Sequence, residues 1–490
     1  MNANSLTGLK VLFVASEMAP LAKTGGLGDV AGSLPPALVR LGCQVRAVMP
    51  LYREVDRQAH GVRPSGLQVK VEVAGRRLAA QVHEGWVDGC QVYLLDCPEF
   101  FDRDGLYGPP GGDFADNPVR FTWFCRAAIE LARTLDFAAD VVHVHDWQTA
   151  LLPAYLEAGG WDLGPLRGAA SVLTIHNLAY QGIYERGIFG LTGLPAWLDS
   201  PQGLEFWGNC SLLKAGLVTA RALTTVSPTY AWEITTPEGG HGMEGVLASR
   251  KAALCGILNG VDYAVWSPEN DPLLPEQYSA TDLRGKTACR DSLLRQMALE
   301  PAGPRTAVLG YIGRFAYQKG VDILADALPY LLLDDVRICI LGSGDQHYQD
   351  QLTALAREHP GRLGVRVAFS EEMAHLITAG SDILLMTSRY EPCGLNQIYA
   401  LRYGAVPVVR ATGGLKDTVE PYDPLTKRGT GFWIQGFGGK EVVAAVREAL
   451  WTKARPQEWS GLVARGMAQD FSWEQSARRY AELYARLGRG

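Results

Sequence analysis

The stretch KTGGLGDV, residues 23–30, sets Lys23 ahead of the paired glycines Gly25 and Gly26, with Asp29 a turn further on. Paired glycines at a helix entry let backbone N–H groups approach an anion, and the helix N-terminus adds partial positive charge. Lys23 would supply a mobile full charge suited to a diphosphate. The same residues also read as a tight glycine turn with a solvated lysine. Gly26, Gly28 and Ala31 formally match the dinucleotide fingerprint G-x-G-x-x-A. However, SEMAPLAKTG separates them from the preceding apolar run, and the region about 20 positions on, RAVMPLY, has no acidic residue. No GxxxxGK[ST] phosphate loop occurs. Most of the motif returns as ATGGLKDTV, residues 411–419, where Thr412, Gly413 and Gly414 stand without a lysine in front.

Three further stretches carry chemistry. YIGRFAYQKG places Arg314 at a strand end and Lys319 at the next helix, a corner fit for phosphate if the charges are not simply solvated. SRYEPCGLNQ holds Glu391 and Cys393 in a loop before a helix starting near Leu395. Glu391 suits sugar hydroxyls, or equally complements the helix dipole. HVHDWQ puts His143 and His145 on one strand face with Asp146 after them, and TIHNLAYQG puts His176 and Asn177 at another strand's carboxyl end. HxHD has metal-ligand spacing, but no second cluster completes a coordination set, so packing or a polar site is the expectation and metal is not.

These residues need rigid strands behind them. KVLFVAS, QVRAVMP, DVVHVH, SVLTIHN and ALTTVS read as buried strands in the first half, and AVLGYIGR, VRICILGSG, VRVAFS, DILLMTS and VPVVRATGG in the second. Continuous apolar runs alternating with helical segments imply parallel sheets covered on both faces. Val30, Leu34, Leu38 and Leu41 recur at helical spacing after the glycines. CGILNGVDYAVWSPENDP, residues 255–272, reads as turn and linker between the halves. The expected fold class is α/β, two Rossmann-like domains facing across a cleft. A last amphipathic helix, FSWEQSARRYAELYARL, is expected to be capped by Ser472 and to gather Ala477, Tyr480 and Leu483 on one face.

Bulk properties narrow the function classes. At 490 residues, two or three domains are expected. The apolar fraction of 47% and charged fraction of 20% are those of a soluble globular protein. A net charge of −6 speaks against a nucleic-acid footprint, and no apolar run is long enough to span a membrane. MNANSLTGLKVLFVAS lacks the basic start and cleavage site of a signal peptide. Nine cysteines without a CxxC pair suit reduced thiols. A cytoplasmic protein is expected.

Taken together and in order, KTGGLGDV, HVHDWQT, TIHNLAYQG, LKAGL, TTVSPTYAWEI, HGMEGVL, GILNGVD with WSPE, GRFAYQKG, SRYEPCGLNQ and ATGGLKDTV resemble the bacterial glycogen synthase and plant starch synthase family over nearly the whole chain. That resemblance implies a retaining glycosyltransferase of the GT-B arrangement without metal or other cofactor. It would move glucose from ADP-glucose to the non-reducing end of an α-1,4-glucan such as glycogen. UDP-glucose, another acceptor, or a catalytically silent glucan-binding homologue remain as alternatives. It implies an N-terminal acceptor-side domain at 1–258, a nucleotide-sugar domain at 259–470, and a helix at 471–490 packing back on the first. Lys23 would contact the donor, with Gly25, Gly26 and Asp29 in its loop. Arg314 and Lys319 would neutralise the leaving diphosphate, and Glu391 would hold glucose hydroxyls. Asp146, His176 and Asn177 would lie near the transferred sugar. Cys393, Gly394 and Leu395 would line the glucose pocket, while Thr412, Gly413 and Gly414 would offer N–H groups to phosphate. Asn259 would sit near the interdomain turn. Because Lys23 and Arg314 lie on different domains, closure about a hinge is expected. Related enzymes often carry a second Glu where this chain has Tyr399, and a Tyr beside the base where it has Phe369.

Overall fold

The computed structural model describes residues 8–109, 111–158 and 161–488, so the first seven residues of the N-terminal stretch read above lie outside it. The chain divides into two compact units. One comprises residues 1–226, 231–260 and 473–490, and the other 227–230 and 261–472.

In the first unit the apolar runs become short strands. They are β1 (Lys10–Val14), β2 (Gln44–Pro50), β3 (Arg63–Val73), β4 (Arg76–Val87), β5 (Cys90–Asp96), β6 (Val141–His145), β7 (Ala170–Ile175), β8 (Ile183–Glu185), β9 (Glu205–Phe206), β10 (Asn209–Ser211), β11 (Ala222–Thr225) and β12 (Leu254–Gly256). Nine form one sheet in the order β12-β11-β7-β6-β1-β2-β5-β4-β3. Pairing is parallel from β12 through β5, and β4 and β3 are added antiparallel. Every residue of β6 and β7 is buried, as a parallel strand covered on both faces requires. β3 instead alternates exposed and buried residues, because one of its faces meets water. The sheet winds one way from β1 to β2 and the other from β1 to β6, which opens a crevice outside the carboxyl ends of β1 and β6. A small sheet, β8-β10-β9, stands apart.

The helix Gly26–Arg40 buries Val30, Leu34 and Leu38, while Leu41 ends it as a half-buried cap. The last helix, Trp473–Leu487, packs against it and belongs to this first unit. Its buried face is Trp473, Ala477, Tyr480, Ala481 and Tyr484. Leu483, expected on that face, is only half-buried; Tyr484 follows Ala477 by two turns and takes the place.

The second unit carries β13 (Ala307–Ile312), β14 (Val336–Gly342), β15 (Leu363–Val367), β16 (Ile383–Met386), β17 (Val406–Arg410) and β18 (Phe432–Ile434). All are parallel, in the order β15-β14-β13-β16-β17-β18. Val308, Leu309, Ile338, Ile340, Leu384 and Val408 form part of its buried core. The winding reverses between β13 and β16, and a second crevice opens at their carboxyl ends. Among the described residues, no helix is long and apolar enough to cross a membrane.

Candidate active site

The reversal point of the second unit gathers most of the chemistry. Arg314 follows β13 and Lys319 sits in the short turn before the helix Val321–Leu331, while Glu391 follows β16. Lys319 Nζ donates to Glu391 Oε2 at 2.6 Å, and Ser388 Oγ donates to the same oxygen at 2.9 Å. Glu391 is buried at 5% exposure, so its charge is matched where it sits. Thr387 Oγ1 donates to the carbonyls of Lys319 and Gly320, and Arg389 N–H to that of Gln318, which ties the two loops together. Arg314 is exposed, and among the described residues its guanidinium donates to Gln318 Oε1, at 3.3 Å. A cation is therefore left facing outward beside a fixed Lys–Glu pair.

The loop 391–395 is braced from behind. A Cβ on Gly413 would lie 1.9 Å from the Glu391 carbonyl oxygen, and one on Gly414 would lie 2.1 Å from that of Cys393. Only glycine lets the backbone pass this close. Gly414 N–H donates to Glu391 O and Thr412 N–H to Arg410 O. The Thr412 and Gly414 N–H groups, expected with Gly413 to face phosphate, are here engaged with main-chain carbonyls, and the second TGG packs against the Glu391 loop. The fully buried Gln397 amide donates to the carbonyls of Cys393 and Gly394 and to Thr418 Oγ1. Ser227 Oγ donates to Pro392 O, and Asp417 accepts from the Thr229 N–H and hydroxyl. Cys393 is buried, and Gly394 and Leu395 are half-buried before the helix Asn396–Arg402. Tyr399 stacks on Trp266 with ring centroids 3.9 Å apart and planes 5° from parallel. Phe369, just past β15, is 91% exposed.

The reversal point of the first unit holds the other set. The β1 loop carries Glu17, whose buried carboxylate accepts from Thr24 N–H and from Tyr107 OH. Burial raises its pKa, partly offset by those hydrogen bonds. Glu17 thereby shapes the Lys23 loop, although its position in SEMAPLAKTG had not marked it. Lys23 Nζ donates to Asp29 Oδ1 at 2.8 Å with both side chains well exposed, so Asp29 is here the lysine's partner. Gly25 and Gly26 are exposed at the entry of the helix Gly26–Arg40.

At the end of β6, Asp146 adopts φ +52°, a left-handed conformation costly for a residue with a side chain. Its Oδ1 accepts the backbone N–H of His176 at 2.7 Å. Burial pushes its pKa up to about 7, against the lowering effect of the His176 and Asn177 N–H groups. This carboxylate, expected near the transferred sugar, fixes the loop after β7 through Oδ1. His176 is buried, and desolvation takes its pKa down to about 3, so the ring is neutral. Asn177 is half-exposed, and its Oδ1 accepts from Ala179 N–H in a local turn. Asn259, beyond β12, is buried with no hydrogen-bond partner for Oδ1 among the described residues. His143 is enclosed by Tyr484 and Thr174. Among the described residues, no group of three or more His, Cys, Asp or Glu is placed to hold a metal ion.

Two doubly wound α/β units, each with polar residues at its reversal point, are the architecture of GT-B glycosyltransferases. Residues 10–249 match the family described as starch synthase catalytic domain, and residues 298–460 match glycosyl transferases group 1. Glycogen synthase of Anaeromyxobacter dehalogenans (strain 2CP-1 / ATCC BAA-258) is 47% identical over 98% of this chain and 100% of its own length. That of Myxococcus xanthus (strain DK1622) is 46% identical over 97% and 99%. The catalytic domain of starch synthase IV from Arabidopsis thaliana, solved with ADP and acarbose, superposes with a TM-score of 0.90. It is 33% identical and covers 99% of this chain and 100% of that one. Sucrose-phosphate synthase from Thermosynechococcus elongatus, 17% identical with a TM-score of 0.59 over 98% and 99% of the two chains, shares the fold. The chain belongs to the glycogen and starch synthase family and is a glycosyltransferase.

Proposed function

We propose that the protein elongates α-1,4-glucan by transferring glucose, with retention, from ADP-glucose to the 4-hydroxyl of a non-reducing end. The observation that carries the reading is the Lys319–Glu391–Ser388 cluster beside the exposed Arg314, seated where a doubly wound sheet binds its ligand. Arg314 and Lys319 face the diphosphate and offset the charge that develops as it leaves. Glu391 accepts from glucose hydroxyls, and its loop (Cys393, Gly394, Leu395) forms the wall of the glucose pocket. Phe369 offers an open ring for the base. ADP in the Arabidopsis relative supports the choice of base, and acarbose there supports an α-glucan acceptor.

In the first unit, Lys23 reaches toward the donor phosphates, and His176, held by Asp146, serves the sugar being transferred. The leaving phosphate takes the proton of the attacking hydroxyl on the same face, since no carboxylate is assigned as a nucleophile. A trapped covalent glucosyl-enzyme would contradict this step. The reaction is placed in the cytoplasm, where nine cysteines without a CxxC pair suit reduced thiols.

The test is incorporation of labelled glucose into glycogen from ADP-glucose and UDP-glucose in competition. Preferential incorporation from ADP-glucose is expected. Preference for UDP-glucose would overturn the donor assignment, and no incorporation from either would favour a silent binding homologue.

A further inference from the structure

His145 ends β6 completely buried, its ring between those of Phe13 and His143 at centroid distances of 4.3 and 4.2 Å. Its Nδ1 lies 3.0 Å from Nε2 of His176. Its own Nε2 is buried and has no hydrogen-bond partner among the described residues. His143 cannot provide one, because its nitrogens are engaged with Tyr484 OH at 2.7 Å and Thr174 Oγ1 at 2.6 Å. Burial keeps His145 and His176 neutral, so each ring carries one proton.

Two tautomeric arrangements satisfy the contact between the rings. If His176 donated from Nε2, the His145 proton would sit on Nε2 as a buried N–H with nothing to accept it. If His145 donates from Nδ1, the unpartnered atom is only a lone pair. Orphaned buried N–H donors are the rarer and more costly of the two. With His145 donating, His176 Nε2 is the acceptor and its proton must reside on Nδ1. His176 retains 9% of its surface exposed, and the Asp146 contact to its backbone holds the residue in place.

We propose that His145 is a positioning residue that fixes His176 as the Nδ1–H tautomer, so that His176 offers the reacting sugar a hydrogen-bond donor and not a base. This rests on the placement of His176 at the transferred sugar. A donor there can bind a hydroxyl oxygen throughout the reaction, while proton removal from the acceptor is left to the departing phosphate. Nothing in the sequence distinguished His145 from His143, since both belong to one HVH run; only the pairing to His176 separates them.

The test is a long-range proton–nitrogen correlation spectrum of the full chain labelled with 15N-histidine, with His176 assigned by its absence in His176→Asn. Wild type should show His176 protonated at Nδ1 and bare at Nε2. His145→Phe keeps a ring in the space and removes the hydrogen bond; His176 should then shift toward the other tautomer or a mixture. Turnover should fall roughly tenfold, the scale of one transition-state hydrogen bond, with the donor KM within about twofold. His145→Asn can place an amide N–H near the original Nδ1 and should restore both the tautomer and most of the rate. A wild-type His176 protonated at Nε2 overturns the proposal, whatever the variants do. So does a tautomer unchanged in His145→Phe. If the tautomer responds as expected while His145→Phe and His176→Asn both transfer glucose at the wild-type rate, the placement of His176 at the sugar is what fails.

Discussion

Asp146 combines a left-handed backbone, deep burial and a carboxylate aimed at the main chain of the neighbouring strand's loop. Such strain persists only where surrounding contacts enforce it. Its folded pKa of about 7 lies above the ordinary carboxylate value, so burial favours the neutral form. The stability this contributes is fully present below about pH 4 and is lost as pH rises through about 7. The buried histidines act in the opposite direction: their folded pKa values are depressed, so stability is lost as pH falls below about 6.5. Asp146→Asn retains the histidines and removes the ionisation. From about pH 5.5 to pH 8 the urea midpoint of Asp146→Asn should rise further, or fall less, than that of wild type. An equal change in both proteins would remove Asp146 as the source. Arg314, Lys319, Glu391 and His176 stand at the strand ends where the sequence put them, but their residue types alone left solvated or structural roles open, and only the ordered set of motifs assigned them to a site. Glu17, Ser388 and Gln397 were not, since nothing local marks a glutamate, serine or glutamine whose partner lies in another loop.

Among the elements, the short helix Gly413–Thr418 shows what the repeated TGG does. At the first copy the glycines are open at a helix entry; at the second they accommodate the carbonyls of Glu391 and Cys393. Gly414→Ala puts a methyl group against the Cys393 carbonyl and must displace the loop. Overpacking of this kind costs about 1–3 kcal/mol, and thermal melting should show it. Glucosyl transfer should fall further than stability alone explains, because the displaced segment carries Glu391. A variant that melts and transfers like wild type would show the loop indifferent to its brace. The parallel strands were readable from continuous apolar runs. The hairpin β3–β4 was not: its residues alternate with charged and polar ones, and its turn is Ala74–Gly75 with positive φ at both, lacking the Asn-Gly or Asp-Gly pair that signals such turns.

Across the whole molecule, two sheets with the same winding place chemistry at the same point of each, the carboxyl ends where strand order reverses. The loops there can differ while the scaffold stays the same, which is why TGGLxD recurs out of register and serves different ends. The identity of a catalytic carboxylate in the second unit is the central claim. It is tested by Glu391→Ala, comparing glucose transfer from ADP-glucose to glycogen with calorimetric affinity for ADP. Transfer should fall by about a hundredfold or more, as expected for lost transition-state stabilisation, while ADP affinity changes by less than about threefold. Transfer at the wild-type rate with a folded variant would contradict the assignment.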